Sequence, residues 1–61
     1  MAQFEYFAGR DELVHWRFRA TRNNEIVAQS EAYSSKQAAQ NGVLVIKQEA
    51  ASATEQDLTG H

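Results

Sequence analysis

The sequence predicts an α+β domain: a β-β-β-α unit with a weaker β at the end, folded as an antiparallel sheet with one helix packed on a face. Three observations carry this. Apolar and polar residues alternate along residues 3–8, 13–20 and 26–31, the period of a strand. Residues 34–51 open on capping residues and then repeat apolar positions at helical spacing. Between the strand-like segments stand short clusters of turn residues, and the 61-residue chain has no Pro, no repeat and no low-complexity stretch to mark a linker.

In residues 3–8, Phe4 and Tyr6 share one side while Glu5 and Phe7 share the other. Gly9, Arg10, Asp11 and Glu12 form a turn, with Gly9 expected to supply the positive φ. Residues 13–21 give the clearest strand. Val14, Trp16, Phe18 and Ala20 point inward; Leu13, His15, Arg17 and Arg19 point outward. Asn tolerates left-handed backbone, so Asn23 and Asn24 read as a two-residue hairpin loop. Residues 25–31 are the third strand, with Ile26, Ala28 and Ser30 on one face; the small Ala28 and Ser30 leave room for a helix. The helix spans about 35–50. With Ser34 as N-cap, Gln37 completes a capping box, and Tyr33 with Ala38 makes a hydrophobic staple. With Ser35 as N-cap the box is lost, but its hydroxyl still accepts from the first-turn amides. Ala39, Gly42, Val43, Ile46 and Ala50 form the apolar stripe. Gly42 on that stripe predicts close approach of the helix backbone to the sheet. The run 43–46 is β-branched enough for a strand, but the preceding cap and the period reaching Ala50 favour helix. Leu44 and Val45 fall off the stripe. Residues 52–59 are polar except for Leu58 and read as a tail or as a weak strand over 54–59.

Size and charge narrow the class. So short a chain buries only about 60 % of the surface its unfolded form exposes. Small domains usually add disulfides, a metal or a partner chain. There is no Cys, and neither His15 nor His61 has metal-ligand spacing around it, which leaves oligomerisation or a barely sufficient core. Phe4, Tyr6, Trp16, Phe18 and Ile26 offer more apolar area than one helix hides, which again points to a second chain. The net charge of −2 argues against a general binder of nucleic acid or anionic membrane. No signal peptide and no apolar run of transmembrane length is present, so a cytoplasmic protein without a membrane partner is expected.

Several stretches together resemble one family. They are Trp16-Arg17-Phe18, Ile26, Ser30-Glu31, Tyr33, Ser35-Lys36, Ala39, Asn41-Gly42-Val43, Ile46-Lys47 and Asp57-Leu58-Thr59. The pattern is similar to the YegP-like family of small, uncharacterised bacterial proteins. The likeness covers nearly the whole chain, and its most specific part runs from Ser30 to Val43. Family members carry one β-β-β-α-β unit or two in tandem; this chain resembles the single-copy kind. The resemblance implies a homodimer with one continuous sheet, helices on one face, and C-terminal strands exchanged between chains. Residues 55–59 would then form a strand on the partner, with pairing inside their own chain as the alternative. Asn24 departs from the Asn-Gly turn that members often carry. The family brings no known activity, so no residue role is carried over.

The residues themselves nominate no catalytic centre. Ser34 and Ser35 have no base placed to activate them and read as helix caps. His61 is terminal. The acids are scattered, and the three isolated Gly make no phosphate loop. No catalytic, cofactor or metal site is expected, and no enzyme. The candidate contact face is the outward stripe His15, Arg17 and Arg19, with Phe7 beside it; a sheet with basic and aromatic residues is how some single-strand RNA binders work. Its bland reading is a solvated face with cross-strand ion pairs to Glu5 and Glu31. The expected function is a non-enzymatic interaction module whose partners are a second copy of itself and an unidentified protein or small ligand. The alternative is weak nucleic-acid binding through His15, Arg17 and Arg19.

Overall fold

Trp16 sits at the centre of what this chain buries. It is 6 % exposed and packs with Ala39 and Val43 of the helix, while Phe4, Val14, Tyr33 and Ile46 close round them. The computed structural model describes residues 1–60. Three strands, β1 (Gln3–Ala8), β2 (Val14–Arg19) and β3 (Ile26–Gln29), precede one helix, α1 (Lys36–Glu49). The sheet is antiparallel in the order β1-β2-β3, so β1 and β3 are its edges. Phe4 stands opposite Phe18 and Tyr6 opposite Trp16, which puts these four aromatic residues on one face of the sheet, the helix side, and leaves Phe7 on the other.

The first turn differs from expectation. The left-handed residue is Glu12 (φ 63°), not Gly9. Glu12 N–H donates to the Gly9 carbonyl and Gly9 N–H to the Leu13 carbonyl, each at 3.0 Å. A turn closed by one left-handed residue is the usual three-residue hairpin loop, and the left-handed place falls at its end. Asp11 holds that end by accepting from Leu13 N–H at 2.9 Å. The second turn is longer than the two-residue loop expected: Ala20 N–H donates to the Glu25 carbonyl at 2.8 Å, so Thr21 to Asn24 form the loop, with a 3-10 turn over Arg22–Asn24. Asn23 and Asn24 both have positive φ, 64° and 54°, and Arg19 donates to the Asn24 carbonyl at 2.8 Å.

The third strand is shorter than residues 25–31, and its register shifts between Phe18 and Arg19, which brings Ile26 opposite Arg19. Ile26 thereby falls outside the buried cluster. Ser30 ends the strand. Its Oγ accepts from Trp16 N–H at 2.9 Å and donates to the Glu31 carbonyl at 2.8 Å, so a side chain replaces the backbone partner in the ladder. Tyr33 then rejoins β2, exchanging two backbone bonds with Val14 at 2.8 and 3.0 Å.

Of the two candidate caps, the structure selects Ser35, whose hydroxyl accepts from Ala38 N–H at 3.1 Å. The capping box on Ser34 is therefore not formed. The run 43–46 is helical, as preferred. Gly42 leaves room for a neighbour on the apolar side of the helix: a Cβ there would lie 2.5 Å from the Tyr33 hydroxyl. After a 3-10 turn (Ala50–Ser52), residues 53–60 carry no strand, and every one is exposed. The weak strand at 54–59 is thus absent from the isolated chain, because no edge of its own sheet lies alongside to supply a ladder.

Candidate functional site

Two surfaces stand out, one on each face of the sheet. The outer face carries the stripe singled out in the sequence, and β-pleating brings it together as expected. His15 pairs across from Phe7, Arg17 from Glu5, and Arg19 from Gln3. Glu5 sits at the middle. Arg17 Nε donates to it at 2.7 Å and Arg19 Nε at 3.3 Å, with Gln3 donating from the side. These donors, Arg17 first, hold the Glu5 carboxyl at about 2, well below its ordinary value of 4.5. The His15 ring stacks on Phe7 with centroids 5.4 Å apart, and the Arg17 guanidinium lies 4.9 Å from the same ring. Asp11 completes the row, 3.2 Å from His15 Nε2. The Leu13 N–H, then His15, lowers the Asp11 carboxyl. The two arginines of the stripe thus share one carboxylate, Glu5, on the same face. Glu31 lies beyond the end of β3 and is exposed.

The other surface was not singled out by sequence reasoning as a site. Between the sheet and the C-terminal end of α1 opens an apolar cleft of about 220 Å³, walled by Phe4, Trp16, Phe18, Ala28, Ile46 and Ala50. It exists because the helix lies over Trp16, and the small Ala28 and Ala50 leave space beside it. Phe4 meets Trp16 edge-on at 5.5 Å and Phe18 at 4.9 Å, which makes one wall rigid and aromatic. The available signal was the surplus of apolar area over what one helix hides, which located the uncovered face but not the cleft. Apolar side chains also remain exposed elsewhere: Val27 on the β3 edge, and Leu44 and Val45 on the helix.

Ser34 precedes the helix and Ser35 caps it. Among the described residues no group of three or more metal-ligating side chains comes together, and His61 lies outside them. Among the described residues no helix is long and apolar enough to cross a membrane.

Comparison with known proteins agrees with the fold. No curated protein matches the chain. A solution structure determined by NMR, of a protein from Haloferax volcanii, is similar over 92 % of this chain and 93 % of that one, with 33 % identity and a TM-score of 0.83. The profile of a family described as a domain of unknown function (DUF1508) matches residues 11–57. That match spans β2, β3, the helix and the polar stretch as far as Asp57, so the chain belongs to this family, the YegP-like family of small uncharacterised proteins.

Proposed function

We propose that the chain is a non-enzymatic interaction module that works as a homodimer with exchanged C-terminal strands. One observation carries the reading: the single chain exposes too much surface. A compact monomer of 6.9 kDa should expose about 4,000 Å²; this chain exposes 5206 Å². Its radius of gyration is 13.2 Å, against about 10–11 Å for a compact chain of this length. The excess, roughly 1,200 Å² per chain, matches what each protomer of an obligate dimer buries. Residues 53–60 supply much of it, together with the open cleft and the sheet edges. Adding residues 55–59 to the sheet of a second copy gives their backbone a ladder and covers an edge in the same step. A protein or small ligand would then bind a surface built from two chains. The test is thermal unfolding at several protein concentrations. An obligate dimer unfolds at a higher temperature as concentration rises, whereas a midpoint constant from 1 to 100 µM, the range we would scan, contradicts the reading.

A second reading has one observation in its favour, the Phe7 ring flanked by His15 and Arg17 on the outer face. Weak binding of a single-stranded nucleic acid would use His15, Arg17 and Arg19. A phosphate would first have to displace Glu5 from both arginines. A gel shift at low salt that vanishes at high salt and in an Arg17→Ala/Arg19→Ala variant supports it; no shift at low salt removes it.

A further inference from the structure

The middle of α1 carries the single Asn-Gly pair of the sequence, Asn41-Gly42. We propose that this pair is a latent modification site that the folded helix keeps shut. When α1 opens, the Asn41 side chain loses its amide, and the main product cannot rebuild the helix. A chain whose helix has opened is thereby marked irreversibly.

The chemistry needs nothing but the chain and water. The Gly42 backbone nitrogen gives up its proton and attacks Asn41 Cγ. A C–N bond forms, the side-chain nitrogen leaves as ammonia, and a cyclic imide results. Water then opens the ring at one carbonyl or the other, leaving an aspartyl or an isoaspartyl residue at position 41. Glycine is the favourable successor because no side chain on residue 42 hinders its nitrogen. The other asparagines, Asn23 and Asn24, precede Asn24 and Glu25, whose side chains crowd the attacking nitrogen.

The helix blocks this reaction in two ways. An α-helix commits each N–H to the carbonyl four residues earlier, so the Gly42 nitrogen is held by Ala38. Helical torsion at Asn41 also keeps that nitrogen away from Cγ, and ψ must swing toward the extended region before the ring can close. Asn41 Oδ1 is meanwhile engaged along the helix surface, accepting from Gln37 Nε2 at 3.2 Å. Packing keeps the labile pair in place. A Cβ on residue 42 would meet Tyr33 Oη at 2.5 Å and Trp16 Nε1 at 3.4 Å, so the fold requires glycine there. An isoaspartyl link adds one carbon to the main chain halfway along the 14-residue helix. Ala39 precedes that link while Val43 and Ile46 follow it, so the three no longer share the face that covers Trp16.

The test is to incubate the parent and Asn41→Gln at one mildly alkaline pH across a guanidinium chloride series. Products are separated by charge and located by peptide mass spectrometry. The acidic product at position 41 should form at least about tenfold more slowly in the folded parent than in the unfolded one, because the rate follows the fraction of open helix. Across the series it should rise as helical circular dichroism is lost, and Asn41→Gln should give no product at that position. After the denaturant is removed, isoaspartyl chains should not regain the helical signal that unmodified chains from the same sample regain. Equal rates in folded and unfolded parent would show that α1 is no lock and overturn the proposal. So would a first product at Asn23 or Asn24 in the unfolded chain, or full recovery of the helix by isoaspartyl chains.

Discussion

The hydroxyl of Tyr33 occupies the space that a side chain on residue 42 would need. A Cβ on Gly42 would meet Tyr33 Oη at 2.5 Å and Cζ at 3.1 Å. Tyr33 is pinned by its two backbone bonds to Val14 and packs against the buried cluster, so the ring has little room to yield. Gly42→Ala should therefore destabilise the protein by about 1–3 kcal/mol, although the exchange in an open helix would stabilise by about 1 kcal/mol. Adding Tyr33→Phe should recover part of the loss by removing the nearer atom. Chemical denaturation of the parent and the two variants checks this, and a stabilised Gly42→Ala would show that Tyr33 lies farther from the helix.

Trp16 joins the helix, β1 and the cleft. Trp16→Ala should cost about 3–5 kcal/mol. A domain of this size has little more than that in hand, so the variant should be largely unfolded by circular dichroism at 25 °C, the temperature we would use. An unchanged melting temperature would mean that β2 faces the other way.

Glu12 bears the left-handed conformation at the end of the first turn. That conformation costs an ordinary residue about 1 kcal/mol and costs glycine nothing. Glu12→Gly should raise stability by up to about 1 kcal/mol, read as a higher denaturation midpoint. A lower midpoint would show that the side chain makes a contact worth more than the backbone strain.

The Glu5 carboxylate should govern part of the acid response. Its folded value is depressed to about 2 from an ordinary 4.5, through Arg17 first and then Gln3 and Arg19. A depressed carboxyl contributes stability that is fully present above its unfolded value and is lost as pH falls through the folded one. Between about pH 4.5 and pH 2 the parent should thus lose stability faster than Glu5→Gln. Parallel pH profiles would show that the cluster is not formed in solution.

The sequence made the sheet legible because alternation is a local property: Trp16 and Phe18 had to share one face of β2, and Phe4 and Tyr6 one face of β1, whatever the loops did. Helix position was legible to within one residue, and only the choice between two adjacent serines required coordinates. The misses have one cause. The left-handed Glu12, the bulge beside Ile26 and the replacement of a ladder bond by Ser30 Oγ all depend on how two segments meet, which no period records. The outer stripe of His15, Arg17 and Arg19 was visible, yet its neutralisation by one Glu5 carboxylate became visible only with the register. The cleft was invisible as a site, since its walls come from β1, β2, β3 and the helix end. The C-terminal stretch looked weak in the sequence for a physical reason: a segment with Leu58 as its single large apolar residue has little to bury.

The central claim is that this chain is complete only as two. Light scattering behind a sizing column, run over a concentration series, tests it directly. The account predicts a mass twice the 6.9 kDa of one chain, unchanged down to low micromolar concentration. A folded species at the single-chain mass across the series would contradict it.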